Sequence, residues 1–331
     1  MSTMWGADVV IFPYMEQTAA WNGLQSFSST TEDFNTGPTN DAMQFLIGPF
    51  PPYRCPSDSE VMKPSEYVRT IGTRGPFAGE SIRPARSSVK WSLGDGIWNV
   101  SEAHHSNSGA VAAPNNPKTY TRGMFTAWHY KDFAFIQDGT SNTVGVSEAV
   151  CSDAAGDGAT TMVTASSRVK GGITAGTFAS PYTAAGNPVT PSRCLDNAFD
   201  PQDRTRLRRN TDALPWAVAW RGQLFGDGRV SNVGFQTVLP PNSPSCGNNV
   251  QSGGDSWGLF SATSHHPGGV TVAFMDGAIR FVTDTINTGD LSLTQGGHHE
   301  GTGTHPVQSG GSNYGVWGAL GTPQAGESLS L

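Results

Sequence analysis

The chain has 331 residues, a net charge of −7, 41 glycines, 22 prolines and only 14% charged residues. Its arginines are scattered instead of forming a stripe, which argues against a nucleic-acid partner, since a phosphate backbone is met by clustered positive charge. No apolar run approaches the ~20 residues of a membrane-spanning helix, and the glycine and proline content fits many turns and short strands better than a helical bundle.

Residues 5–25 carry a helical pattern that Pro13 should interrupt. Residues 26–65 read as a long ordered loop, anchored by the apolar stretch from Phe45 to Phe50. Only weak strands are expected over 66–115. The segment 132–150 reads as strand, turn and strand, with Phe133 and Phe135 alternating before DGTSN and Val144 and Val146 after it. Ala, Gly, Ser and Thr over 152–200 suggest loops or thin edge strands. The basic run at 203–210 is bracketed by Asp200, Asp203 and Asp212, which makes it a solvated, internally paired segment.

The clearest hairpin is GGVTVAFMDGAIRFV at 268–282. An Asp276-Gly277 pair between alternating apolar runs favours a two-residue type I′ loop. That loop pairs Met275 with Ala278, Phe274 with Ile279 and Val272 with Phe281, placing four large apolar side chains on one buried face and Arg280 on the other. A polar loop over 288–313 and a core-like YGVWGALG at 314–321 complete the chain. These elements describe a β-rich α+β fold, an antiparallel sheet with a short N-terminal helix and long ordered loops, in one domain spanning 1–331.

Four cysteines, Cys55, Cys151, Cys194 and Cys246, show no CxxC or other metal-ligand spacing, which disfavours zinc. Widely separated cysteines in a lysine-poor chain suit an oxidising compartment. Cys194 and Cys246, in loop-like sequence, are the first pair expected to bridge; the alternative is four buried free thiols. Three His-His pairs, at 104–105, 265–266 and 298–299, have poor geometry for a shared metal, because neighbours on a strand face opposite ways. His298, His299, Glu300 and His305 lie in a Gly-rich loop suited only to adventitious metal. A dyad of His266 and Asp276 is excluded by the hairpin, which should hold them roughly 20 Å apart. Asp276 then serves its turn, and His266, before Pro-Gly-Gly, caps the start of the strand.

Asp138, Thr140 and Asn142 have the alternating-oxygen rhythm of a calcium loop, with Glu148 following, so calcium is the one cofactor suggested; turn hydrogen bonding explains the same residues without an ion. No nucleophile elbow, phosphate loop or dinucleotide fingerprint is present, and no spacing selects catalytic residues.

HPGGVTVAFMDG, His266 to Gly277, forms an H-x9-DG signature. FPYMEQTAAWN at 12–22, RCPSDS at 54–59, IQDGTSNTVGVSE at 136–148, TVLPPNSPSC at 237–246 and YGVWGALGTPQAGE at 314–327 accompany it in order. Together they resemble the large pilin-like proteins of unknown function abundant in planctomycetes and related bacteria. The resemblance marks His266, Gly268, Gly269, Asp276, Gly277, Asp138 and Gly139 as structural signature positions. It implies an exported, non-enzymatic head domain of a pilus-like or pseudopilus-like assembly on the cell surface or in the periplasm, without the apolar N-terminal helix that family members carry and through which alone it would meet a membrane. The implied partners are other pilin-like subunits or surface proteins. The competing expectations are an extracellular module binding polysaccharide or protein through some of the nine Trp, and, third, a metal-assisted hydrolase. Trp216, Trp220, Trp257 and Trp317 sit in apolar contexts that look like core.

Overall fold

The computed structural model describes residues 6–27, 41–65, 68–97, 122–125, 131–153, 168–175, 190–208, 221–228, 230–247, 258–293 and 310–327. Its helices are short: α1 (Ala7–Val10), α2 (Thr18–Phe27), α3 (Ser192–Ala198), α4 (Val230–Val233) and α5 (Gly315–Gly321). Its strands are β1 (Arg69–Thr70), β2 (Ser81–Ile82), β3 (Val89–Ser92), β4 (Val144–Glu148), β5 (Ile173–Ala175), β6 (Gly234–Phe235), β7 (Ser245–Gly247), β8 (Gly258–Leu259), β9 (Gly269–Phe274) and β10 (Ile279–Thr283). The β-rich α+β class expected from composition is the class observed. A five-stranded sheet runs β10-β9-β4-β3-β6, a three-stranded sheet β5-β7-β8, and β1 pairs with β2 alone. The sheets are not wholly antiparallel, since β3 runs parallel to β6 and β5 parallel to β7. No helix among the described residues is long and apolar enough to cross a membrane.

The N-terminal pattern folds as its proline requires. α1 ends before a single 3-10 turn, Phe12–Tyr14, in which Pro13 needs no hydrogen-bond donor, and α2 resumes at Thr18. Phe12 stacks on Phe225 with ring centroids 5.6 Å apart, while Phe50 and Tyr53 close on the same ring at 4.6 and 5.0 Å. This aromatic knot, with Val9, Met43 and Leu46, forms one core against the sheet's N-terminal side. Asp8 is buried there. Its carboxylate accepts the Trp91 indole N–H, and its carbonyl accepts the Tyr53 hydroxyl at 2.8 Å.

A second core lies beneath the sheet's other face, where Val144, Val270, Val272, Phe274 and Val282 pack against Trp317 and Leu320 of α5. The C-terminal YGVWGALG is therefore core, as its sequence suggests, and the Trp317 indole donates to the Leu239 carbonyl at 3.0 Å.

The hairpin register differs by one residue from the expectation. β9 and β10 pair Ala273 with Ile279, Val272 with Arg280 and Val270 with Val282. The loop has three residues, Met275, Asp276 and Gly277. Gly277 N–H reaches the Phe274 carbonyl at 3.0 Å, and Phe274 N–H reaches the Ala278 carbonyl at 2.8 Å. Only Gly277, at φ 85°, enters the left-handed region. A type I′ loop would have required Asp276 to do so too, at the cost any residue with a Cβ meets there, and the longer loop removes that demand. The slip carries Arg280 to the inner face without isolating its charge, because the guanidinium lies 4.5 Å from the centroid of the Phe274 ring and remains half-exposed. Ile279 and Phe281 turn outward instead, 72% and 50% exposed.

Residues 132–150 also depart from the expectation of two strands. Phe133–Phe135 is a 3-10 turn held by the Asp132 carboxylate on the Phe135 N–H, and Phe133 is exposed. Only β4 is a strand, and it inserts between β3 and β9. Within 152–200 β5 is a thin edge strand of the expected kind, while α3, which carries Cys194, is a helix where loop or strand was expected.

Candidate functional site

The first feature that shapes the site is a bulge. Val144 pairs with Phe274, but Val146 pairs with Ala273 and Ser147 with Val272, so Gly145 is the additional residue. Regular alternation would put Glu148 on the face of Val144; the bulge carries it to the opposite one. A side chain at 145 would strike the Met275 sulfur, 2.6 Å from where its Cβ would stand.

Glu148 is held there by one oxygen, with Thr271 N–H donating to its Oε1 at 2.7 Å. Its Oε2 lies 3.5 Å from His266 Nε2, and the Cys55 Sγ lies 3.9 Å from the same nitrogen. The three donor atoms, from residues separated in sequence, are all within 4.8 Å of one another. Glu148 is largely enclosed, with its side chain 12% exposed, while the His266 ring is 42% exposed and opens the cluster to solvent.

Each backbone beneath the cluster is pinned. Cys55 N–H donates to Ser88 Oγ at 2.7 Å, and the RCPSDS loop is nailed to the core by Asp58, whose carboxylate accepts the N–H groups of Cys151 and Glu60. Ser264 Oγ accepts the His266 N–H at 3.0 Å and donates to the Gly269 carbonyl at 2.7 Å. Asn242, in the left-handed region at φ 64°, accepts the Ser264 N–H and donates to the same Gly269 carbonyl. Ser264 and Asn242 thus do the capping expected of His266, whose ring is free to meet Glu148 and Cys55. The two glycines that follow differ in purpose. Gly268 adopts φ 77° with open space around it, whereas a Cβ on Gly269 would fall 2.1 Å from the Val282 carbonyl.

His266 and Asp276 occupy opposite ends of β9, as expected, with Asp276 Oδ1 accepting the Ala278 N–H in the turn. The oxygen-rich segment at 138–142 sits against that same turn, since Asp276 N–H donates to the Thr140 carbonyl. Asp138 accepts the N–H groups of Ala325 and Gly326 at 2.8 and 3.0 Å, and Asn142 donates to the Asp138 carbonyl. Gly139 supplies φ 94° to the turn. Glu148 is not brought to this group; the length of β4 separates them, roughly 15 Å by strand rise.

Cys194 and Cys246 form a disulfide with Cα atoms 5.9 Å apart, joining α3 to β7. Cys55 and Cys151 are free, and burial pushes the Cys151 thiol up to about 12, beyond reactivity at neutral pH. Lys170 donates to the Ser264 carbonyl beside the cluster, and burial lowers its pKa against the opposing pull of Asp284 and Glu148. Trp317 is wholly buried and Trp91 nearly so. Trp216, Trp220 and Trp257, the histidines at 104–105, 129, 298–299 and 305, and most of the 288–313 loop lie outside the described residues.

No spacing rule could have found the Cys55, Glu148 and His266 cluster, because its members come from three motifs. The signal available was the motifs' joint presence.

A β-rich α+β protein in which the RCPSDS loop, the end of β4 and the loop before β9 meet beside a five-stranded sheet is the class this fold and site define. The chain belongs to the family described as "Protein of unknown function (DUF1559)", which matches residues 2–289. No curated protein and no solved structure matches the chain.

Proposed function

We propose that this chain is the exposed, non-enzymatic head of a pilus-like or pseudopilus-like surface assembly, making lateral contacts with other pilin-like subunits. The observation that carries the reading is β10. It is the terminal strand of the five-stranded sheet, its outer edge has no neighbouring strand among the described residues, and it presents Ile279 and Phe281 outward. An open edge with exposed large apolar residues is normally blunted by charge, proline or a covering loop, and is a ready surface for strand-to-strand or face-to-face association. The Cys194–Cys246 bridge supports export to an oxidising compartment, and the motif order at 12–22, 54–59, 136–148 and 266–277 supports the pilin-like relationship.

The test uses the full gene product in its native host. Ile279→Lys with Phe281→Lys should leave the secreted head folded, because both side chains are outward-facing, but abolish its recovery in sheared surface filaments. Recovery equal to the parent would remove β10 as the contact.

A further inference from the structure

The cluster of Cys55, Glu148 and His266 goes beyond a scaffolding role, and stands whether or not the chain enters a filament. We propose that it is a three-ligand site for a zinc-class divalent transition cation, with a fourth position open to solvent. The donor set is one sulfur, one imidazole nitrogen and one carboxylate oxygen, the mixture that suits Zn2+ and not the all-oxygen coordination of Ca2+ or Mg2+.

The separations fit. Tetrahedral zinc, with bonds of about 2.0 to 2.3 Å, sets its ligand atoms roughly 3.4 to 3.6 Å apart. His266 Nε2 and Glu148 Oε2 already stand at 3.5 Å, Cys55 Sγ and His266 Nε2 at 3.9 Å, and all three atoms fall within 4.8 Å. Closing the triangle takes about 1 Å of side-chain rotation, which the 42% exposed His266 ring and the partly exposed Cys55 allow.

A simple histidine–carboxylate pair leaves other features without a purpose. The Thr271 N–H on Glu148 Oε1 fixes the carboxylate so that its second oxygen faces the ring, as outer hydrogen bonds orient metal ligands. The bulge at Gly145 delivers Glu148 to this face at all. The thiol arrives on a loop held by Asp58 and Ser88, with Ser57 Oγ 3.1 Å from the sulfur as a supporting group. Lys170, the neighbouring cation, donates to the Ser264 carbonyl. The open side is the exposed face of His266, where water completes the shell.

The experiment titrates Zn2+ into the full chain, metal-free and with its disulfide intact, against a chromophoric chelator, and repeats the titration with Co2+ as an optical probe. The expected result is one ion per chain and a sulfur-to-cobalt charge-transfer band. Cys55→Ser should remove the band and weaken Zn2+ binding at least 100-fold, and Glu148→Gln or His266→Gln at least 10-fold. Replacing His298, His299 and His305 together by Ala should change nothing. Zn2+ should also shield Cys55 of the unmodified chain from maleimide, a readout that needs no variant. The proposal is overturned by absence of stoichiometric binding, by affinity that survives Cys55→Ser and His266→Gln, by loss of binding in the triple-histidine variant, or by maleimide labelling that Zn2+ does not slow.

Discussion

Asp8→Asn should stabilise the protein at neutral pH and do little at pH 4. Asp8 is fully enclosed, with Oδ2 lacking a hydrogen-bond partner. Burial raises its pKa from 3.8 to about 6, against the opposing pull of Lys90 and the Trp91 hydrogen bond. Because the folded state holds this proton more tightly than the unfolded one, stability falls as pH rises from about 4 through about 6 and is then level. A displacement of about two pH units corresponds to about 3 kcal/mol at pH 8. Asparagine keeps the acceptor for Trp91 and carries no charge, so its unfolding free energy should exceed the parent's by that amount at pH 8. The gap should narrow mostly between pH 6 and 4. Urea unfolding followed by tryptophan fluorescence from pH 4 to 8, under non-reducing conditions, measures it. A pH-independent difference, or an Asn variant less stable at pH 8, would refute the reasoning and show that ionised Asp8 is a net favourable partner of Lys90.

Gly269→Ala should cost about 3 kcal/mol, because its Cβ meets the β10 backbone, while Gly268→Ala should cost only about 1 to 2 kcal/mol from its positive φ; paired urea midpoints distinguish them. Replacing Cys194 and Cys246 by Ala should lower stability by about 4 kcal/mol, the chain-entropy value for a sequence separation of 52; reduction of the parent should reproduce the loss. Asp138→Asn keeps one acceptor oxygen and should leave one of the Ala325 and Gly326 amides without its partner, for about 2 kcal/mol, with faster hydrogen exchange confined to the C-terminal segment and its turn. The coding sequence upstream of residue 1 should encode a short basic leader and ~20 apolar residues; a start codon with nothing apolar before it would count against filament assembly.

What the sequence made legible was whatever a short-range pattern controls. Pro13 placed the break between α1 and α2, the alternation at 270–274 placed β9, and YGVWGALG was read as core because it is apolar after a long polar stretch. The disulfide followed from cysteine number and context. The hairpin register was missed because both candidate loops contain the same Asp-Gly pair, and the choice rested on one backbone angle at Asp276 and on whether Arg280 could find an aromatic face. Phe133 and Phe135 alternate like a strand but pair with no strand among the described residues, and Asp132 caps them into a turn. The candidate site was hidden for a different reason. Gly145 reverses the facing of Glu148, and strand-period reasoning has no means of seeing a bulge created by pairing with β9. Cys55, Glu148 and His266 were each visible, in three separate motifs, but their meeting is a property of the sheet order β9-β4-β3.

The most direct measurement of the assembly claim is a site-specific cross-link. A photoreactive residue at position 281, on the outer side of β10, is compared with one at position 14 in the N-terminal 3-10 turn, where the side chain is 84% exposed against 50% at 281. In cells displaying the full gene product, irradiation should yield covalent adducts with a pilin-like subunit from position 281 and not from position 14. Adducts from position 14 alone, or from neither, would contradict a head that joins its neighbours through the edge of its sheet.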